Sequence, residues 1–546
     1  MPVSADVPCS AARAGGAPVR PDARRAWLAP DVSLIAAAVT LFYCLVLPDG
    51  PRRLFRDSDT GWHIRTGEAI LATAHLPRHD PYSFTRAGRE WFAWEWGADV
   101  MTGAAHRAGG LGGVAVLYGL ALASGVWLWF RLQWTVGGNF FLACAMAAPM
   151  LSTTSLHWLA RPHVLSWLLL LAAVWQAERV SQPLSEPRAS ASGPPVFRLR
   201  HAVGIFLLAA LWANLHASFF LAPAIALVYA AGHLVRPWVW SLDASMERRK
   251  ARWFACAAGV ALLGSLMNPY GWNLHRHLAS YLGDTELLAR VGEFQSFNFH
   301  VAGAFQILAA LAVAALGAVL ALGQKKLAQF LLSVVVLVAA LRSARGLPVV
   351  ALVLLPLANG AMTQALREAG GLRPALRRWL EGFLDYSDRL RALEGRLDGR
   401  AWIPVALLLA VLWMRTPAVA ARAGFPPEEF PVRAAGALEK LSPEARLLAP
   451  DKYGGYLIYR FAGRRKVFFD GRSDFYGAAF MKDYVRLMQV RPGWREQVEG
   501  WGFTHALLPR DYSLVAALEQ AGWKRLYRDR VATLLEKPEG LPARNL

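Results

Sequence analysis

The sequence predicts an α-helical polytopic membrane protein with about eleven transmembrane helices and a C-terminal soluble α/β domain. Of the 546 residues, 55% are hydrophobic and only 18% are charged. The mean hydropathy is +0.28, and the charges lie in short stretches between long apolar runs. Because a soluble domain usually carries about a quarter charged residues, this composition excludes an ordinary soluble enzyme.

Eleven apolar segments give the transmembrane count, since a spanning helix needs roughly 17 to 25 mostly apolar residues and several of these segments are at the short end. The segments are 31–48, 111–131, 139–157, 163–178, 201–216, 218–235, 252–268, 301–323, 327–342, 347–363 and 401–417. They divide the chain into a cytoplasmic tail at 1–30, a transmembrane region at 31–417, and an outer α/β domain at 418–546. Residues 49–110, between the first two segments, are called the first outer segment below.

Basic residues set the predicted orientation. If the N-terminus is cytoplasmic, most basic residues of the connecting segments fall on the inner side. The short outer loops then hold only Arg161, Arg276, Arg290, Arg342 and Arg345. This is the positive-inside pattern, and it places the C-terminus outside. The formal net charge of +20 is explained by contact with membrane lipid at an anionic leaflet, so no nucleic-acid partner is expected.

Two regions outside the predicted spans carry secondary structure. The first outer segment contains an amphipathic helix from Gly61 to about Ala74, which ends before Pro77. The C-terminal domain contains four apolar strand candidates that alternate with helix-like stretches. These strand candidates are Arg446–Leu448, Tyr456–Tyr459, Lys466–Phe469 and His505–Leu508.

Candidate functional residues lie at the outer ends of the predicted helices, where ionisable groups are costly to bury and tend to line a site. Five junctions bring carboxylates, imidazoles, amides and guanidinium groups to one face, which predicts a composite pocket. These residues are Asp57, Asp59, His63, Arg65, His157, Arg161, His163, Asn214, His216, Asn268, Tyr270, Arg342 and Arg345.

Asp57 and Asp59 precede the amphipathic helix, whose N-terminal dipole favours negative charge. At least one of them is expected to be ionised at neutral pH and able to accept a proton from a hydroxyl. No cofactor is required, but the same carboxylates are the metal ligands if a divalent cation, Mg²⁺ or Mn²⁺, binds. The alternative for either residue alone is that it simply caps the helix.

The basic residues form the complementary set. Arg161, Arg342 and Arg345, with His157, His163 and His216, are expected to hold a phosphate or diphosphate, because arginine makes bidentate charge-assisted bonds to such groups. The alternatives are that the arginines extend to lipid headgroups and that each histidine has a packing role.

The C-terminal domain contributes a polar patch, Asp470-Gly471-Arg472-Ser473-Asp474-Phe475-Tyr476. Asp-Gly after a strand is first a turn signal. Beyond the turn, Arg472, Asp474 and Tyr476 are candidates to contact a ligand over the pocket. Trp91, Trp94 and Trp96 of the first outer segment are candidates to stack on ligand rings or to anchor at the membrane interface.

The run from Asp57 to Glu68, with His79-Asp80-Pro81-Tyr82-Ser83-Phe84-Thr85, follows the first helix of an eleven-span chain that ends in an outer domain. This arrangement resembles bacterial polytopic glycosyltransferases of the GT-C superfamily. The resemblance implies an inner-membrane location, a sugar donor carried on a polyprenyl phosphate or diphosphate, and an acidic residue in the first loop that acts in catalysis. That residue is Asp57 or Asp59, with Asp59 favoured as the base because it adjoins the helix.

Asp59, His63 and Arg65 also look like the first loop of oligosaccharyltransferases. The C-terminal domain, however, has Asp451-Lys452-Tyr453-Gly454-Gly455-Tyr456 where those enzymes carry a Trp-Trp-Asp-x-Gly motif. The acceptor, a glycan, lipid or protein, therefore stays open.

The predicted function is inverting transfer of a sugar from a lipid-linked donor to an acceptor hydroxyl on the outer face. Two other classes remain: a transporter or flippase of a lipid-linked or anionic solute, and a catalytically silent membrane assembly partner. Transporters commonly show two similar halves and broken helices near the midplane, whereas here the polar residues are at helix ends.

Overall fold

The computed structural model describes residues 27–181, 196–417 and 422–538. Almost all of the predicted cytoplasmic tail lies outside these residues. The described chain is mostly helical, with a small sheet near its C-terminus. Its helices are α1 Val32–Leu45, α2 Gly50–Leu54, α3 Asp59–Thr73, α4 Trp96–Thr135, α5 Phe140–Thr154, α6 Pro162–Ser181, α7 Leu199–Leu215, α8 Leu221–Val239, α9 Ala244–Ser265, α10 Trp272–Gly283, α11 Thr285–Leu288, α12 Ala304–Gly323, α13 Leu327–Arg342, α14 Leu347–Val349, α15 Leu355–Arg367, α16 Pro374–Glu394, α17 Trp402–Trp413, α18 Ala435–Glu439, α19 Asp451–Arg460, α20 Ser473–Met488, α21 Trp494–Gly500 and α22 Ser513–Gln520.

Apolar helices make this a multi-pass membrane protein. Within the described ranges, six helices are long and apolar enough to cross a membrane, and four shorter apolar helices accompany them. These ten overlap ten of the eleven predicted segments. The remaining segment, 252–268, overlaps α9, whose first turns carry charged residues such as Glu247 and Lys250. The predicted count of eleven spans is therefore not confirmed.

Helix α3 of the first outer segment is packed by backbone contact on two sides. A Cβ atom on Gly67 would lie 1.8 Å from the carbonyl oxygen of Asp99 in α4, and one on Gly61 would lie 2.1 Å from the carbonyl oxygen of Gly455 in α19. Glycine at both positions permits this close approach. Helix α3 is thereby fixed between the helical bundle and the C-terminal domain.

The C-terminal sheet has four strands: β1 Leu447–Leu448, β2 His505–Pro509, β3 Lys524–Arg528 and β4 Ala532–Glu536. Their order in the sheet is β1-β2-β4-β3. Strands β1 and β2 are parallel, and β4 is antiparallel to both β2 and β3.

Two of the four strand predictions are wrong. Tyr456–Tyr459 lies in helix α19, because Tyr453, Tyr456 and Leu457 are buried at helical spacing. Lys466–Phe469 is outside the sheet and forms an isolated bridge between Val467 and Ser83 of the first outer segment, with Val467, Phe468 and Phe469 buried and Lys466 exposed. The C-terminal domain thus pairs with the first outer segment at this bridge.

We predict that Gly61→Ala destabilises the protein by about 1–3 kcal/mol or more, since the added methyl group overpacks a backbone contact. Gly204→Ala in α7 is the matched control, because a Cβ atom there meets nothing within 4 Å. Thermal denaturation of the detergent-solubilised protein measures both. Equal melting temperatures for the two variants would contradict the packing described for α3.

Candidate functional site

A cavity of about 380 Å³ lies where the ends of several helices meet the C-terminal domain. Eight of the sequence-predicted site residues line it: Asp59, His157, Arg161, His163, His216, Arg345, Arg472 and Asp474. Trp91 and Trp94 also line it, whereas Trp96 donates its indole N–H to Asn214 Oδ1 at 2.7 Å.

Arg161 is the centre of an ion-pair cluster. Its Nη1 lies 2.7 Å from Asp57 Oδ2 and 3.3 Å from Glu293 Oε1, and its Nη2 lies 3.0 Å from Asp59 Oδ2. Asp59 is the first residue of α3, Asp57 lies two residues before it, and Glu293 lies in the segment that leads to α12. One guanidinium therefore joins three carboxylates from two segments distant in sequence.

The turn that carries Arg161 is held by the first outer segment. Ala160 donates its N–H to the carbonyl oxygen of Leu54 at 2.8 Å, and Thr60 donates its hydroxyl to the carbonyl oxygen of Ala160 at 3.1 Å. Pro162 then begins α6, and proline is well suited to a first helical turn. The backbone thus positions the guanidinium.

Asp57 and Asp59 play different parts. Asp57 Oδ1 accepts the backbone N–H of Asp59 at 2.9 Å, which is the capping role considered above, and Asp57 does not line the cavity. Asp59 is buried and lines it. A Cβ atom on Gly471 would lie 2.0 Å from Asp59 Oδ1, so glycine at this position leaves room for that carboxylate.

Burial raises the pKa of Asp59 to about 8, and the neighbouring Asp57 carboxylate adds to the rise despite the opposing effect of Arg161. The helix N-terminus therefore does not dominate the ionisation of Asp59. Glu293 behaves in the opposite way: burial raises its pKa, but Arg345 and Arg161 outweigh burial and hold it well below its usual range.

Arg345 is paired with Glu293, with Nη2 and Nε at 2.5 and 2.6 Å from Oε2. Arg342 is exposed and does not line the cavity, which corrects its assignment to phosphate binding. The reason is local: α13 ends at Arg342, and the following 3₁₀ turn, Ala344–Gly346, carries Arg345 towards Glu293.

The three predicted histidines lie in a row, with ring centroids 5.9 Å apart between His157 and His163 and 6.4 Å apart between His163 and His216. Burial lowers the pKa of His216 to about 3, with Arg345 and Arg161 adding to the fall. His216 is thus a neutral hydrogen-bonding group at neutral pH, and the arginines carry the positive charge.

Sequence reasoning missed Glu95, which lines the cavity. Its carboxylate oxygens lie 3.6 Å from His216 Nε2 and 3.8 Å from His63 Nε2, and among the described residues this carboxylate has no hydrogen bond and no arginine partner within ion-pair distance. His63 is itself held by Asp99, with 2.6 Å between Nδ1 and Oδ1. Burial raises the pKa of Glu95 to about 7, Arg161 opposes the rise, and Asp474 adds to it.

Several predicted pocket residues instead hold the structure around the cavity. Arg65 donates to the carbonyl oxygen of Tyr459, at 2.7 Å from Nη2, and so links α3 to α19. His79 is exposed, and His63 is fully buried behind Glu95. Asn268 caps its own turn by accepting the Tyr270 N–H, and Tyr270 accepts the Ala93 N–H.

Asp80, Asp470 and Arg472 form a buried ion-pair triad between the first outer segment and the C-terminal domain. Arg472 Nη2 lies 2.9 Å from Asp80 Oδ1 and 2.7 Å from Asp470 Oδ2. Tyr476 donates its hydroxyl to Asp470 Oδ2 at 2.9 Å and does not line the cavity. Asp470 and Tyr476 therefore support the wall to which Arg472 and Asp474 belong.

A divalent cation does not fit the predicted pair, because the guanidinium of Arg161 already contacts both carboxylates. In the part of the chain that the structure describes, no group of three or more His, Cys, Asp or Glu side chains is arranged to hold a metal ion.

Comparison with solved structures identifies the fold. The archaeal oligosaccharyltransferase AglB from Archaeoglobus fulgidus, in complex with an inhibitory peptide and a dolichol-phosphate, aligns with a TM-score of 0.54 and 12% identity over 93% of this chain and 74% of that chain. The apo form of the Archaeoglobus fulgidus oligosaccharyltransferase aligns with a TM-score of 0.53 and 11% identity over 87% and 69% of the two chains. The chain shares the fold of this oligosaccharyltransferase.

This shared fold is the one expected from the resemblance to GT-C glycosyltransferases. ArnT from Cupriavidus metallidurans bound to undecaprenyl phosphate also aligns, with a TM-score of 0.47 and 15% identity over 93% of this chain and 98% of that chain. No family model and no curated protein matches the sequence.

We predict that Arg472→Leu destabilises the protein by about 3–5 kcal/mol, because it leaves the buried carboxylates of Asp80 and Asp470 without a cation. Arg525→Leu, which breaks an exposed pair with Glu519, is the control and is expected to cost about 1 kcal/mol or less. Thermal denaturation compares the two. A melting temperature of the first variant as high as that of the control would show that the triad does not hold the domains together.

Proposed function

We propose that this protein is a membrane glycosyltransferase of the bacterial inner membrane, with a cytoplasmic N-terminus and an outer C-terminal domain. It transfers a sugar from a polyprenyl phosphate or diphosphate to an acceptor hydroxyl on a glycan, lipid or protein, with inversion. The observation that carries this proposal is one cavity that brings carboxylates and arginines together in a GT-C fold. The AglB complex with a dolichol-phosphate supports a lipid-linked donor.

The donor phosphate binds at the arginine side of the cavity. Arg345 and Arg161 supply the positive charge, and His157, His163 and His216 supply hydrogen-bonding groups. Fixed guanidinium groups in a site with little water stabilise the departing phosphate as the bond from the anomeric carbon to the phosphate oxygen breaks. This arrangement is the main electrostatic contribution to catalysis.

Asp59 accepts the proton. As the acceptor oxygen forms its bond to the anomeric carbon, its hydroxyl proton passes to the Asp59 carboxylate and the donor phosphate leaves with the bonding electron pair. The buried position of Asp59 on the cavity wall supports this role, since burial gives the carboxylate a higher proton affinity.

We predict that Asp59→Asn lowers transfer by about 10² to 10⁴-fold, the usual contribution of a general base. Asp57→Asn is the matched control, and its effect is expected to be smaller because Asp57 lies outside the cavity. The assay follows radiolabelled polyprenyl-phosphate sugars with the reconstituted protein. Full activity in Asp59→Asn would exclude it as the base, and transbilayer movement without transfer would indicate a flippase instead.

Glu95 is the second candidate for the base, because it lines the cavity and has no arginine partner among the described residues. The pH dependence of kcat/KM separates the two. A base must be unprotonated in the free enzyme, so kcat/KM falls as the pH falls below its pKa, which is about 8 for Asp59 and about 7 for Glu95. We expect Asp59→Asn to remove this acidic limb and Glu95→Gln to retain it; the reverse result would assign the base to Glu95.

A further inference from the structure

Three carboxylates lie so close around Arg161 that a positive charge is needed between them. Asp57, Asp59 and Glu293 direct one oxygen each to the same guanidinium, over distances of 2.7, 3.0 and 3.3 Å. Three carboxylate oxygens that converge from separate segments are the ligands that Mg²⁺ and Mn²⁺ prefer. Without a central positive charge, the three groups would repel one another.

We propose that Arg161 is a built-in cation that replaces a divalent metal ion at the centre of this carboxylate cluster. Its position is fixed before any ligand arrives, because the backbone of Ala160 is hydrogen-bonded to Leu54 and Thr60 of the first outer segment. Two of its nitrogen atoms, Nη1 and Nη2, contact carboxylates from both segments. The side chain therefore neutralises and orients the cluster, as a coordinated ion would.

Two consequences distinguish an internal guanidinium from a metal ion. First, chelators do not remove it, so transfer proceeds without divalent cations. Second, removal of the side chain leaves three carboxylates around an open space. Held apart by the guanidinium, they are not arranged to hold a metal ion, and its loss should let them close on a divalent cation. A lysine at the same position keeps a positive charge and should keep the cation out.

Mn²⁺ binding to the purified full-length protein, followed by electron paramagnetic resonance, tests the second consequence. We expect Arg161→Ala to bind one Mn²⁺ per chain, about tenfold or more tighter than either the wild type or Arg161→Lys. A Mn²⁺ site in the wild type that Glu293→Gln abolishes would overturn the proposal. Absence of a site in a folded Arg161→Ala, shown folded by size-exclusion chromatography, would overturn it as well.

Transfer in the presence of EDTA tests the first consequence and does not require any variant to fold. We expect the rate with EDTA to equal the rate with Mn²⁺; loss of transfer in EDTA and its recovery with Mn²⁺ would overturn the proposal. This arm rests on the proposed function, whereas the Mn²⁺ titration does not. If no donor is turned over under any condition, the proposed function fails and the titration still decides the role of Arg161.

Discussion

The ion pairs of Arg161 are the interaction on which the site depends. They join the start of α3, the turn before α6 and the segment that contains Glu293, three pieces of chain that no regular secondary structure connects. The guanidinium is partly buried and has carboxylates on more than one side, so the loss of any one partner changes the charge seen by the others. Removal of one member of a buried ion-pair cluster costs far more stability than replacement of all its members by apolar residues.

Backbone packing fixes the position of Asp59 in this cluster. Helix α3 carries Asp59 at its first position, and glycines fix that helix against both α4 and α19. Gly471 of the C-terminal domain then comes against the Asp59 carboxylate. The domain is therefore part of the cavity wall, and the triad of Arg472, Asp80 and Asp470 keeps that wall attached to the first outer segment.

The helical membrane architecture was predictable because apolar runs of this length are explained by helices that span a membrane. The sequence also predicted Asp59, Arg161 and Arg345 as site residues, since charges at the ends of apolar helices are costly unless they have a role. Glu95 was missed because the apolar pattern placed the second span at 111. Helix α4 starts at Trp96 and is kinked at Gly109 and Gly110, where the backbone is not helical. Glu95 is therefore at the N-terminal end of a helix that begins well before the apolar run.

Other errors have equally local causes. Glu293 lies in a short 3₁₀ turn, Gly292–Phe294, outside every predicted span, and its partners come from other elements. The difference between Arg342 and Arg345 depends on one 3₁₀ turn, and no pattern in the residues predicts where that turn directs each side chain. Tyr456–Tyr459 was assigned to a strand because four apolar residues are too few to show whether the hydrophobic period is that of a strand or of a helix.

In the proposed reaction, charge balance connects donor binding to proton transfer. Four carboxyl groups line the cavity, Asp59, Glu95, Glu293 and Asp474, against three guanidinium groups, Arg161, Arg345 and Arg472, so the cavity already holds more acidic than guanidinium groups. A donor phosphate at Arg345 adds negative charge and competes with Glu293 for that guanidinium. Both effects raise the proton affinity of the remaining carboxylates. While the donor is bound, the base is therefore stronger but less often ionised at a given pH, and departure of the carrier phosphate lowers its proton affinity again and favours release of the proton.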